Sequence, residues 1–334
     1  DTDSERPVNP LLFGLEVADR QPPRLHQLRA YTLDPERRTR DAVNFNLVRK
    51  GNGYGIAGDT LRLDARQAGF GLKVYDHMDG VSNWNGVYSV AMYVDDSLAY
   101  AFEMETFAFS ETRYLNAHLD YEEQVSRRSY FNRLFRLPGN HLSSVYRHSP
   151  EEGIVALHPE VSKKVTIVAD DLAGNHSELE FWVRQSSGGT PPQRQVYHYF
   201  LPFDEENIID RPAGRVHFPE GTFYEDLFFF FQEADDRSSD IYSPVLHLHD
   251  HKTPVHEYYN LSIRPNRLPG AWQSKAFIAY CPDGGRVYSF GGEWQDGMLH
   301  ARVRTLGDFC IMVDTVPPTI RPVTFSGNMA GWNQ

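Results

Sequence analysis

Apolar and polar residues alternate in short runs along most of this 334-residue chain. GLKVYD, GVYSVAMYVDD, KVTIVADD, ELEFWV, NLSIRP, KAFIAY and HARVRT are rich in β-branched and aromatic residues and are bounded by Gly, Pro, Asn and Asp. A period of two puts alternate side chains on one face of a strand. Short strands separated by turn residues favour antiparallel sandwiches over βαβ units. The expected fold class is therefore all-β, a tandem of antiparallel β-sandwiches. One segment breaks the pattern: SETRYLNAHLDYEEQVSRRSYFNRLFRL, residues 110–137, holds helix formers and no internal Gly or Pro. With Ser110 as N-cap and Glu111 in the first turn, it predicts one or two helices inserted into the first sandwich. On such a helix Tyr130, Leu134 and Leu137 form a packing stripe beside Phe131 and Phe135. Glu122, Glu123, Arg127 and Arg128 then make the solvated face.

Proline and glycine punctuate the chain into units. Asp19, Pro22, Pro23 and Leu25 share the pattern D-x-x-P-P-x-[LI] with Asp314, Pro317, Pro318 and Ile320. A double proline fixes φ and withholds two ladder donors, which suits an extended approach to a first strand. QSSGGTPPQ, residues 185–193, reads as a linker. The expected layout is a leading strand or linker over 1–19, a first sandwich over 20–184, and a second over 194–314. Residues 315–334 begin a third immunoglobulin-like domain too short to bury a core.

Composition narrows the partners. With 33 basic and 45 acidic residues, the net charge of −12 and the lack of a basic block exclude nucleic acid as an expected partner. No apolar run approaches the ~20 residues of a spanning helix; LFFFF at 227–231 has the length of a buried strand. The first residues have neither the basic start nor the apolar stretch of a signal peptide. Cys281 and Cys310 either pair in an oxidising compartment or sit as small apolar residues, so they do not fix the compartment.

Two stretches carry candidate metal chemistry. VLHLHDHKTPVH, residues 245–256, places His247, His249 and His251 at alternate positions, so on a strand three imidazoles would leave one face toward a zinc ion. The plainer reading is the wet face of an antiparallel strand. YDHMDGVSNWNG offers Asp76, Asp79, Asn83 and Asn85 as calcium ligands, and VADDLAGN offers Asp170, Asp171 and Asn175. Neither matches the D-x-[DN]-x-[DN]-G spacing, and Asx turns explain the same residues without an ion. Nucleophile-elbow and P-loop fingerprints are absent, and although GYGIAG at 53–58 has the bare G-x-G-x-x-G spacing, no dinucleotide-binding fingerprint is read there.

Several motifs in order carry a resemblance. The opening DTDSERPVNPLLFGLEVADRQPP resembles the segment after the peptidase domain in lysostaphin-type zinc endopeptidases, within larger Bacteroidota envelope proteins. GFGLKVYDHMDGVSNWNGVYSVAMYVDD (69–96), FSETRYLNAHLDYEE (109–123), VADDLAGNHSELEFWV (168–183) and LGDFCIMVDTVPPTI (306–320) extend it over nearly the whole chain. The resemblance implies an exported protein of the periplasm, outer membrane or cell surface. Its partners would be other envelope proteins or peptidoglycan, and zinc would lie in a preceding peptidase domain. That family needs H-x-x-x-D, and none of the 14 histidines has Asp four residues on. No catalytic residue carries over, and the chain is expected to position or regulate a zinc domain. GRVHFPEGTFYED, residues 214–226, resembles the opening of the ZU-type sandwich of ankyrins and netrin receptors, which is an interaction module. An adhesion or glycan-binding module, marked by an exposed aromatic patch, and a metalloenzyme on His247 and His249 are the alternative expectations.

Overall fold

The computed structural model describes residues 5–14, 17–186, 196–236, 238, 240–282 and 284–319. The fold is all-β, built on two cores. The first closes between two layers of one continuous sheet. Arg24–Leu33 lies between Gln67–Tyr75 and Thr39–Lys50, all antiparallel. The twelve-residue strand Thr39–Lys50 then pairs Gly53–Ile56, which leads into the second layer of His176–Gln185, Lys163–Asp170, Ser89–Val94 and Ser97–Glu103. Alternation acts as the sequence predicts: Val165, Ile167 and Ala169 point inward from one strand, and Leu179, Phe181 and Val183 from its neighbour. The exceptions to antiparallel order are Gly53–Ile56, whose Tyr54 pairs parallel with Leu179, and Thr60–Leu63, which runs parallel beside Trp182, Val183, Arg184 and Gln185.

The second core lies between two five-stranded antiparallel sheets. One is centred on Gly214–Phe218, Tyr259–Ile263 and Met298–Val303, the other on Val245–Leu248, Gly307–Val313 and Ala276–Tyr280. Phe218, Phe229, Tyr259 and Phe309 are fully buried there.

The helical insertion is shorter than predicted. A 3₁₀ turn, Phe109–Tyr114, runs into the helices Leu115–His118 and Tyr121–Arg127. Its cap is Ala108, whose N–H donates to the Glu111 carboxylate at 2.7 Å, and not Ser110. Asp120 caps the last helix by accepting from Glu123 N at 3.0 Å, and Arg128 ends it in the left-handed region at φ 50°. Beyond it, Phe131–Arg133 is a strand on the edge of Gln67–Tyr75. The stripe Tyr130, Leu134 and Leu137 is therefore not helical, although Leu134 and Leu137 are buried with Phe131 and Phe135. Burial of aromatics against the sheet outweighs the helix preference of the flanking Arg and Leu. Gly69 makes room, because a Cβ there would lie 2.4 Å from the Phe135 ring. The face expected in solvent is also partly inside: Glu123 is buried against Arg29, whose guanidinium also meets buried Asp120 at 2.8 Å.

This insertion joins the two cores. Tyr224, from the loop after Gly214–Phe218, is buried in a small cluster with Tyr31, Ala117, Phe135 and Leu137. Gly139 N donates to Tyr224 O at 2.8 Å. Arg113 donates to Val255 O at 2.8 and 3.0 Å and to Arg304 O at 3.3 Å, and Tyr114 stacks on His256 at 4.1 Å.

The leading segment is a 3₁₀ turn, Pro10–Phe13, after an isolated bridge between Val8 and Thr106, rather than a strand. Pro7 and Pro10 lack the N–H groups a ladder requires. The expected linker falls largely, and the expected third domain mostly, outside the described residues. No described helix is long and apolar enough to cross a membrane.

Candidate metal centre

Strand ends deliver the acidic residues. Asp76 follows Gln67–Tyr75 and is held by a two-bond bridge to Asn85, with N···O distances of 3.0 and 2.9 Å. The intervening loop is pinned by aromatic contacts: Trp84 lies 4.6 Å from His77 and 4.9 Å from Tyr75. Asp171 follows Lys163–Asp170 and starts the turn into His176–Gln185. Its two oxygens accept from Asn175 N at 2.8 Å and Asn175 Nδ2 at 2.7 Å. The same amide donates to the backbone carbonyl of Asp19 at 3.3 Å. Asp19 closes an Asx turn on Gln21 N at 3.0 Å, and Gln21 Nε2 reaches Met78 O at 3.3 Å. Thus the first D-x-x-P-P junction is stitched to both acid-bearing loops.

The result is a carboxylate triad. Asp19, Asp76 and Asp171 each offer an oxygen, and these oxygens all lie within 4.8 Å of one another. Among the described residues, no other cluster brings three acidic, His or Cys ligand atoms so close. Asp76 is 6% and Asp171 4% exposed, and Asp76 Oδ1 is buried without a hydrogen-bond donor. Burial pushes the Asp76 carboxyl up to about 6; the His77 amide opposes this, while the charges of Asp171 and Asp19 add to it. A cleft of about 660 Å³ opens beside the triad, walled by Leu11, Val17, Met78 and Leu119 among others.

The two loops read separately as calcium candidates thus share one site, though not with all their acids. Asp79 pairs with Arg20 at 3.3 Å, Asn83 is exposed, and Asp170 accepts from Ser89 Oγ at 3.3 Å. Asp19 was missed as a candidate because in sequence it reads only as a junction residue. The signal available was its acid ahead of the double proline, since Asp314 closes the same Asx turn on Val316 N at 3.0 Å.

The histidine stretch behaves differently. Its strand is only Val245–Leu248, and His249 turns into the left-handed region at φ 54°. Alternation ends there, so His247, His249 and His251 do not share a strand face. His247 Nδ1 meets Asp308 Oδ1 at 2.6 Å, His249 Nδ1 accepts from Phe230 N at 3.2 Å, and His251 lies 3.2 Å from Asp250. Burial holds the His249 imidazole below its usual range. His247 is thus a half-buried histidine on the polar side of its strand, paired with Asp308.

The fold and site define an all-β chain of two sandwiches with a helical insertion. Residues 198–314 match the family described as Zu5-like domain, in agreement with the ZU-type pattern at 214–226. That span is β-rich, built from the two five-stranded sheets of the second core. No curated protein matches the chain.

Proposed function

We propose that the chain is the non-catalytic β-sandwich region of a cell-envelope protein of the peptidoglycan endopeptidase type. In this reading it holds a neighbouring zinc peptidase domain, or an envelope partner, at a fixed orientation in the periplasm or at the cell surface. The observation that carries it is the joint between the cores, where Arg113 and Tyr224 fasten the helical insertion to the Zu5-like unit. A module that positions something needs stiffness more than a reactive group. The ordered motifs that resemble lysostaphin-type proteins supply the link to peptidoglycan. Assays on purified peptidoglycan test it. Cleavage by the protein as its gene encodes it, and none by residues 1–334, is expected. Cleavage by the 334-residue chain overturns the non-catalytic role, and no cleavage by the encoded protein removes the peptidase link.

One observation favours a second reading, a glycan-binding or adhesion surface. The short strand pair Tyr199–Leu201 and Leu227–Phe229 presents Phe200 and Phe228 with ring centroids 5.5 Å apart. Tyr197 lies 4.9 Å from Phe228, and the Arg38 guanidinium sits 5.0 Å over it. Ring faces of this kind stack on sugars. Loss of co-sedimentation with peptidoglycan in Phe200→Ala/Phe228→Ala would support that surface, and unchanged binding would remove it.

A further inference from the structure

We propose that Asp19, Asp76 and Asp171 bind one Ca²⁺ ion that clamps the segment before the first sandwich onto its end. The inference stands independently of the peptidase reading.

Three observations carry it. The donor set is all oxygen, which selects a hard cation over zinc. Three carboxylates converge within 4.8 Å, and one of them, Asp76, is 6% exposed with its Oδ1 buried and without a donor. A buried carboxylate oxygen left in that state is costly unless a cation completes it. Asp19 and Asp171 carry the same charge as Asp76, and Arg20 is engaged by Asp79 outside the triad. Both oxygens of Asp171 accept from Asn175, yet each keeps a further lone pair for an ion.

Calcium rather than magnesium follows from the origin of the ligands. They come from three separate loops, a flexible arrangement that suits 6–8 ligands at roughly 2.3–2.6 Å better than a rigid octahedron. Waters from the adjoining cleft would complete the shell. Asp19 lies at the junction, so the ion would bind the junction to the two loops through charge. The Asn175 amide, Gln21 and the Arg20–Asp79 pair already tie the junction to those loops.

The test uses the whole 334-residue chain, first stripped of divalent ions with a chelator. Addition of ~5 mM Ca²⁺, above the ~0.1–1 mM dissociation constants of extracellular modules, should raise the melting temperature by roughly 5 °C. Amide exchange at Gln21 and Asn175 should slow. The same concentration of Mg²⁺ should do less. Asp76→Asn removes one charge and gives Asp19 and Asp171 a donor. It should melt no lower than the wild type without metal, yet bind Ca²⁺ at least ~10-fold more weakly by calorimetry. Asp79→Asn, which leaves the triad intact, should keep the full response. No Ca²⁺ response in the wild type overturns the proposal. So does an undiminished response in Asp76→Asn, or a response to Mg²⁺ that equals or exceeds that to Ca²⁺.

Discussion

The phenol of Tyr224, on the Zu5-like unit, donates to the backbone carbonyl of Arg113, on the insertion of the first sandwich, at 2.7 Å. Tyr224 is 2% exposed, so this bond forms inside a packed joint. Tyr224→Phe should lose about 1 kcal/mol, the net value of one hydrogen bond. Tyr224→Ala should lose about 3–5 kcal/mol by opening a cavity. Urea titrations followed separately in each unit will show whether the alanine variant also splits one transition into two.

Gly139 sits on the other side of that joint. A Cβ there would lie 2.8 Å from Tyr224 Cα and 3.0 Å from the carbonyl oxygens of Phe223 and Tyr224. These are backbone atoms, which do not swing aside. Gly139→Ala is expected to destabilise by about 1–3 kcal/mol. An unchanged denaturation midpoint would show that the two units yield to each other.

Arg29 is the buried hub of the insertion. It lies 2.8 Å from both Asp120 and Glu123 and donates to Asn44 at 2.6 Å, and Tyr31 donates to Asp120 at 2.7 Å. Arg29→Ala removes the cation shared by two buried carboxylates and should cost about 3–5 kcal/mol. Adding Glu123→Gln to that background should recover part of the loss. A double-mutant cycle from chemical denaturation reads the coupling directly.

His118 sets an acid limit. It is fully buried against Phe102 and 3.3 Å from the Tyr146 hydroxyl. Burial, reinforced by the charge of Arg133 and partly offset by Asn132, holds its imidazole down to about 4, against 6.5 when unfolded. Because the folded value is the lower one, the stability is complete above pH 6.5. It declines as the unfolded chain takes up a proton the folded one refuses. About 2 kcal/mol should be lost by pH 5, and His118→Gln should flatten that slope in urea midpoints measured from pH 7.5 to 5.

The two cysteines are placed to react. Cys310 is buried in Gly307–Val313 and Cys281 follows Ala276–Tyr280, with their sulfurs 3.5 Å apart and unbonded. Mild oxidation should lower the mass by about two hydrogens, remove both titratable thiols and raise stability by about 3 kcal/mol. Persistence of both thiols under diamide would show that the strands hold the sulfurs misaligned.

Much of the fold was legible because local rules suffice for it. Lys163–Asp170 reads inward as Val165, Ile167 and Ala169, and the Pro219, Gly221 turn flags the Zu5-like unit. Other features depend on partners the sequence does not name. Arg128 in the left-handed region cuts a helix that composition would extend, and Glu123 looks solvated until Arg29 reaches it from a distant strand. The histidine alternation failed on one backbone angle, the positive φ of His249. At the candidate site, Asp76 and Asp171 were visible as separate loops. That they face each other across Asp19 follows from how the two layers of the sheet close on each other, which no local spacing records.

The fork of Arg113 onto Val255 O and Arg304 O has a mechanical consequence. Its hydrogen bonds end on two different loops of the Zu5-like unit, so a torque on one sandwich loads both anchors in parallel. Twist is therefore transmitted across the joint rather than absorbed there. In the positioning role proposed above, a partner held by one sandwich would take its angle from the other, much as a bracket fixes the direction of what it holds.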